Sequence, residues 1–121
     1  MNKYILVVDD DAQLRSLLQQ VLESEAYIVD TASDGRIALD KILHRPEMPD
    51  VILLDMAMPG MNGLQLIEAL RQRKEACVET IIAYSGNMDA LEQARGLGIG
   101  RCLAKPFDLE TFLELLSTRV A

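Results

Sequence analysis

Short runs of apolar residues alternate along the chain with longer segments in which apolar residues recur every three or four positions. The short runs occupy residues 4–8, 28–29, 51–54 and 80–84, and a less hydrophobic one follows at 101–106. Runs of this length, rich in branched residues and bounded by turn formers, are typical of strands buried on both faces. Because each run precedes a segment with helical spacing, the pattern predicts five strand–helix units.

The predicted helices are amphipathic, with one apolar stripe and polar residues between. The stripes include Leu14, Leu17, Leu18, Val21 and Leu22 in the first helix and Met88, Leu91 and Ala94 in the fourth. Asp11 and Asp108 precede the first and last helices, where a carboxylate can accept hydrogen bonds from free backbone N–H groups.

The regular alternation of strands and helices specifies a parallel sheet with helices on both faces. We therefore predict an α/β fold with a five-stranded parallel sheet. For five strands we adopt the flavodoxin-like, doubly wound (βα)5 arrangement in the order 2-1-3-4-5, by analogy with known folds and not from the alternation itself. The chain contains no internal repeat or linker. We expect a single domain over residues 1–121.

Composition and charge narrow the classes of function. A formal net charge of -7 argues against direct binding to nucleic acid, which requires a basic surface. No apolar segment approaches the roughly 20 residues of a membrane span. Cys77 and Cys102 are too few and too isolated for a disulfide framework or a zinc site, and we expect both to be small buried thiols. These features predict a cytoplasmic protein without membrane contact.

Polar side chains stand where the predicted strands end. Asp9 and Asp10 follow the first strand, Asp55 ends the third, Ser85 follows the fourth and Lys105 lies at the end of the fifth. The carboxyl ends of parallel strands meet at one edge of a sheet, which is where open α/β sheets bind ligands. Since the first and third strands are neighbours in the predicted order, roughly 4.8 Å apart, we expect the three carboxylates to share one crevice.

Three carboxylates in one crevice require positive charge nearby, because like charges at short range cannot all stay ionised without compensation. Lys105 supplies one positive charge, and a divalent metal ion would supply the rest. Hard oxygen ligands without a nearby His or Cys favour Mg²⁺ as that ion. Such a site suits phosphoryl transfer, which depends on positioning and on stabilising charge on the phosphoryl oxygens. Asp55 would attack to form an acyl phosphate, while Mg²⁺, Lys105 and the Ser85 hydroxyl each take one oxygen.

The same motifs resemble those of response-regulator receiver domains over essentially the whole chain. The resemblance rests on Val7-Val8-Asp9-Asp10, the segment from Leu54 to Gly63 that contains Asp55-Met56-Ala57-Met58-Pro59-Gly60, the hydroxyl residue Ser85, and Lys105-Pro106-Phe107, together with the spacing between them. This resemblance implies a phosphoacceptor switch that catalyses only its own phosphorylation and dephosphorylation.

The resemblance also implies a role for each matching residue. Asp55 is the phosphoacceptor, and Asp10, Asp55 and the Ala57 backbone carbonyl bind Mg²⁺, with Asp9 acting largely through water. Ser85 and Lys105 hold the phosphoryl group, and the bond between Lys105 and Pro106 is cis. The phosphoryl donor would be a sensor histidine kinase or a histidine phosphotransfer protein. The signal would pass to a downstream protein partner or to a missing output domain.

The chain departs from the family pattern at two positions. Ser85 stands where Thr is commoner but retains the hydroxyl. Cys102 stands three residues before the lysine, where the family usually has Tyr or Phe as a switch. We hypothesise that the loop after Ser85 and the fourth helix carry the signal instead. In this hypothesis Tyr84 points away from the site and replaces the missing ring on the Cys102 side of the sheet.

Two other functions fit parts of the sequence. Asp9 and Asp11 satisfy the Asp-x-Asp of haloacid-dehalogenase-type phosphatases, but no later strand ends in the second carboxylate pair of that class. A phosphorylation-independent interaction module with the same fold is the second alternative. The sequence ends soon after the predicted last helix, which is consistent either with a stand-alone regulator or with a receiver excised from a longer protein.

Overall fold

The apolar runs of the sequence form the strands of one parallel sheet. The computed structural model describes residues 3–58, 60–73 and 75–120, without the side chains of 75–77 and 118–120. Its strands are β1 (Tyr4–Val8), β2 (Ile28–Ala32), β3 (Val51–Asp55), β4 (Ile81–Ser85) and β5 (Arg101–Ala104). Their order is β2-β1-β3-β4-β5, all parallel, which confirms the predicted flavodoxin-like topology.

An α-helix follows each strand. The helices are α1 (Ala12–Ser24), α2 (Gly35–His44), α3 (Gly63–Arg73), α4 (Met88–Gly96) and α5 (Leu109–Val120), and a 3-10 helix, Glu75–Thr80, leads into β4. The caps of α1 and α5 are confirmed. Asp11 Oδ1 accepts hydrogen bonds from the Gln13 and Leu14 N–H groups, and Asp108 Oδ1 accepts one from the Thr111 N–H at 2.8 Å.

The sheet separates two apolar clusters, one on each face. Leu18 and Leu22 of α1 and Phe112 and Leu116 of α5 cover one face. The other face is covered by α2, α3 and α4, through side chains such as Ile42, Leu66, Ile67, Leu70 and Leu91. Because both faces are covered, β3 is buried along its whole length and Asp55 ends a rigid central strand.

Some residues of the apolar stripes lie at the surface. Met88 is 56% exposed at the first position of α4, and Leu17 on α1 is 46% exposed, so neither stripe is buried along its whole length. Cys102 is half-buried on the face covered by α4, rather than fully buried. The side chain of Cys77 lies outside the described residues.

The predicted position of Tyr84 is also wrong. Its ring belongs to the cluster covered by α1 and α5, whereas Cys102 packs against the cluster on the opposite face. The strand register explains the separation, because Cys102 pairs with Ala83 and Tyr84 pairs with Leu103 on the neighbouring strand. Successive side chains point to opposite faces, so Tyr84 cannot replace a ring on the Cys102 side.

The start of α3 packs directly against the end of β3. A Cβ atom built on Gly63 would lie 2.7 Å from Met56 Cα and 3.0 Å from the Asp55 carbonyl oxygen, so only glycine fits there. Asn62 and Gln65 hold the same helix start by reciprocal hydrogen bonds. Each side-chain oxygen accepts from the backbone N–H of the other residue at 2.9 Å.

Candidate functional site

Asp55 lies at the carboxyl end of the central strand, in contact with a lysine from the sheet edge. Its side chain is only 5% exposed. Oδ1 accepts a hydrogen bond from the Ala57 N–H at 3.0 Å, and Oδ2 accepts one from Lys105 Nζ at 3.3 Å. Lys105 reaches this position because β5 ends at Ala104 and the Lys105 N–H bonds to the Ser85 carbonyl oxygen at 2.9 Å. The peptide bond between Lys105 and Pro106 is cis, as expected.

Asp9 is fully buried beside Asp55 and is bonded through both carboxylate oxygens. Oδ1 accepts a hydrogen bond from the Asp11 N–H at 2.8 Å, and Oδ2 accepts one from the Tyr84 hydroxyl at 2.6 Å. The Arg15 guanidinium donates to the Asp9 carbonyl oxygen at 2.8 Å, which fixes the backbone at the end of β1. The Asp9 carboxylate is therefore held in one orientation.

Asp9, Asp10 and Asp55 form an acidic cluster. One carboxylate oxygen of each lies within 4.8 Å of those of the other two, and Asp10 is the exposed member. The predicted crevice of three carboxylates is therefore present. A set of hard oxygen donors without His or Cys in it fits Mg²⁺, which prefers carboxylates and keeps part of its water shell.

Burial raises the pKa of the Asp55 carboxyl above its ordinary value, and the negative charge of Asp9 raises it further. The Ala57 N–H and the Lys105 ammonium group oppose this shift without cancelling it. Ionisation of Asp55 therefore costs free energy in the folded protein, and a cation bound in the crevice would lower that cost. This is a second physical reason why the acidic cluster suits a divalent metal ion.

Ser85 is buried at the end of β4, next to the strand that carries Asp55. Its Oγ accepts a hydrogen bond from the Asn87 N–H at 3.0 Å. The Asn87 side chain in turn caps α4, since its Oδ1 accepts hydrogen bonds from Asp89 and Ala90 N–H groups. The Ser85 hydroxyl is therefore linked directly to the start of α4.

Three contacts of the site were not predicted from the sequence. They are the hydrogen bond from Tyr84 to Asp9, the bond from Arg15 to the Asp9 carbonyl, and the bond from Asn87 to Ser85. The contact between Tyr84 and Asp9 could have been suspected from the sequence, because Tyr84 immediately precedes Ser85 at a strand end. The other two depend on side-chain and loop conformations that periodicity does not reveal.

The comparison with known proteins gives the class of protein that this fold and site define. Residues 5–117 match the family model for the response regulator receiver domain. The chain therefore belongs to the receiver-domain family of two-component response regulators. The haloacid-dehalogenase alternative is thereby wrong.

Individual relatives agree with this assignment. The chain is 36% identical over 110 residues to sporulation initiation phosphotransferase F of Bacillus subtilis, with 91% of this chain and 87% of that protein covered. It is 41% identical over 108 residues to the transcriptional regulatory protein CpxR of Escherichia coli, with 89% of this chain but only 44% of that protein covered. The chain thus spans less than half of that longer regulator.

Solved structures show the same fold. A response regulator receiver domain from Bermanella marisrubri superimposes with a TM-score of 0.87 at 34% identity, with 100% of both chains covered. The response regulator TrrA of Thermotoga maritima, determined in complex with Mg²⁺ and BeF, gives a TM-score of 0.83 at 30% identity. It covers 97% of this chain and 98% of its own. Within the described part of the present chain, no helix is both long and apolar enough to cross a bilayer.

Proposed function

We propose that this domain accepts a phosphoryl group on Asp55 in a Mg²⁺-dependent reaction and thereby switches a protein-interaction surface. The observation that carries the proposal is the placement of Asp55. Its carboxylate is buried at the end of the central strand, 3.3 Å from Lys105 Nζ and within the acidic cluster. A nucleophile, a cation and a metal-binding carboxylate set thus meet at one point.

The acidic cluster would hold the metal ion. Asp10, Asp55 and the Ala57 backbone carbonyl would be its protein ligands, and Asp9 would contact it largely through water. When bound, Mg²⁺ neutralises carboxylate charge and stabilises the charge of the phosphoryl oxygens. The fit rests on the donor set and its close spacing.

The side chains of the chain perform the remaining steps. A carboxylate oxygen of Asp55 forms a bond to phosphorus while the bond from phosphorus to the donor imidazole nitrogen breaks, and the electron pair of that bond stays on the nitrogen. Lys105 Nζ, already at Asp55, neutralises one phosphoryl oxygen. The Ser85 hydroxyl donates a hydrogen bond to another, and its Oγ can do so while it still accepts from the Asn87 N–H.

A direct test uses acetyl phosphate with Mg²⁺ as the donor, and mass spectrometry as the readout. The wild type should gain one phosphoryl group, and Asp55→Asn should gain none while keeping its fold. Asp34→Asn is the matched control, because Asp34 caps α2 at the same edge of the sheet and asparagine caps equally well. Labelling of Asp55→Asn at the rate of Asp34→Asn would contradict the proposal and favour a phosphorylation-independent interaction module.

A groove beside Lys105 suits the protein that donates the phosphoryl group, a sensor histidine kinase or a histidine phosphotransfer protein. The groove has a volume of about 470 Å³. Lys105 forms part of its wall, and the remaining lining is apolar: Leu14, Leu17, Leu18, Pro106, Phe107 and Leu109. Because Lys105 contacts Asp55 and also lines the groove, the groove lies beside the path by which a donor protein would reach Asp55. Its apolar lining suits an apolar helix face on the donor.

Leu17→Glu tests this docking surface. Leu17 is 46% exposed, so the substitution should change the groove with little effect on the core. Transfer from a purified phosphorylated histidine phosphotransfer domain should slow, whereas labelling by acetyl phosphate should not. Ile37→Glu is the control, since Ile37 is an exposed apolar residue on α2. Equal loss with both donors would contradict the docking role. The downstream partner and the cytoplasmic location stay predictions.

A further inference from the structure

The Tyr84 side chain contacts two charged groups of the site, the buried Asp9 carboxylate and the partly exposed Lys105 ammonium group. Tyr84 is almost fully buried, and its hydroxyl donates to Asp9 Oδ2 at 2.6 Å. The other Asp9 oxygen already accepts from the Asp11 N–H. Both oxygens of this buried carboxylate therefore accept a hydrogen bond from a neutral donor.

Lys105 lies between two possible partners of the same charge. Its Nζ is 3.3 Å from Asp55 Oδ2 and 3.8 Å from Asp9 Oδ2. Only a small displacement would transfer the ammonium group from Asp55 to Asp9. Coulomb attraction alone does not decide between them, since both carboxylates are buried and carry the same charge.

Two contacts of Tyr84 favour Asp55 as the partner. The short hydroxyl bond occupies Asp9 Oδ2, the oxygen that Lys105 would otherwise approach, and withdraws charge from it. The ring itself lies under the ammonium group, with Nζ 4.9 Å from the ring centroid, a distance suited to cation–π attraction. Arg15 does not compete for this role, because its guanidinium bonds to the Asp9 backbone carbonyl and not to the carboxylate.

We infer that Tyr84 is a positioning residue that directs Lys105 to Asp55, by occupying the competing oxygen of Asp9 and by holding the ammonium group over its ring. The role goes beyond the site residues assigned above. Its effect on phosphoryl transfer rests on the proposed function, but the arrangement of Lys105 in the metal-free protein does not.

The first test follows the Lys105 ammonium group by NMR in metal-free protein labelled with 15N-lysine, with Lys105→Arg to assign the signal. In the wild-type background, Asp55→Asn should shift this signal more than Asp9→Asn does. In a Tyr84→Phe background the order should reverse, because Asp9 Oδ2 becomes available to the lysine. Tyr84→Met, which removes the ring as well, should show the same reversal.

Tyr27→Phe is the matched control background. Tyr27 packs against the same apolar cluster as Tyr84, but it takes part in none of the hydrogen bonds described above for the site. It should keep the wild-type order. An unchanged order in both Tyr84 variants, with their amide spectra showing a folded protein, would overturn the inference.

The second test measures labelling by acetyl phosphate and Mg²⁺ affinity in the same variants. Tyr84→Phe should slow labelling at saturating Mg²⁺ by about 10-fold, the usual size of an effect from a residue that orients a site group. Calorimetry should show Mg²⁺ affinity undiminished, since Asp9 keeps its bond to the Asp11 N–H. Labelling at the wild-type rate in Tyr84→Phe would overturn the catalytic consequence. A wild type that takes no label would instead reject the proposed function, while the NMR order would still decide the role of Tyr84.

Discussion

Lys105 Nζ lies 3.3 Å from Asp55 Oδ2, so the cation from the edge strand reaches the carboxylate at the end of the central strand. The contact joins two residues that are 50 positions apart in the chain. It balances part of the charge of the acidic cluster in the protein without metal. It also places a cation where a phosphoryl group on Asp55 would carry negative charge.

Lys105→Met should therefore reduce the rate of labelling by acetyl phosphate. Loss of one preorganised cation at a site of developing negative charge costs on the order of 100-fold in rate. Timed mass spectrometry at saturating Mg²⁺ would measure it, with Lys3→Met, an exposed lysine near the amino terminus, as the control. A rate within twofold of the control would show that Lys105 only balances charge.

Asp55→Asn should raise the melting temperature of the metal-free protein at pH 7. The folded-state pKa of Asp55 is raised, so its ionised form lowers stability above that pKa, and the penalty disappears as pH falls and the group becomes protonated. The difference between variant and wild type should accordingly shrink on acidification. Thermal melts between neutral and mildly acidic pH would follow it. A difference that grows as pH falls would mean that the pKa is lowered instead.

Asp10→Ala should separate metal binding from folding. It removes one carboxylate from the acidic cluster, so the metal-free protein should melt at a higher temperature and Mg²⁺ should raise that temperature less than in the wild type. Melting curves with and without Mg²⁺ would show both effects. A lower melting temperature together with an unchanged Mg²⁺ response would identify Asp10 as structural.

Gly63→Ala should destabilise the protein by about 1–3 kcal/mol, because its new methyl group would overlap the backbone at Met56. Gly96→Ala is the matched control, since a Cβ there meets no atom within 4 Å and alanine favours the helix. Urea denaturation would compare the two. Equal stability of the variants would mean that the contact between α3 and β3 relaxes without cost.

Hydrophobic periodicity was sufficient to predict the strands and helices, whereas the sheet order was adopted by analogy with flavodoxin-like folds, and the acidic cluster followed from the two together. Asp9, Asp10 and Asp55 follow strands that are neighbours in a parallel sheet, so their meeting follows from topology alone. The failures concern single side chains. Met88 has helical spacing relative to Leu91, but as the first residue of α4 it is 56% exposed, while Leu91 and Ala94 are buried.

Tyr84 shows what else the sequence leaves undetermined. Alternation along β4 assigns its ring to the face opposite Ala83, but not which helices cover that face. It also does not show that a long side chain from β4 reaches past β3 to Asp9 at the end of β1. That contact depends on side-chain length and sheet twist, which are properties of the assembled sheet.

The Tyr84 ring connects the site with α5 through a series of aromatic contacts. Its edge meets Phe107 with ring centroids 5.7 Å apart, and Phe107 meets Phe112 of α5 at 5.6 Å. The three rings form a row that runs from the acidic crevice to α5, on the side of the sheet away from Cys102 and α4. In an interior packed this closely, we expect a displacement of the first ring to move the second. We therefore expect a change at Asp9 to reach α5 beside the groove that Lys105 and Phe107 line, whereas a change at Ser85 would reach α4 through Asn87.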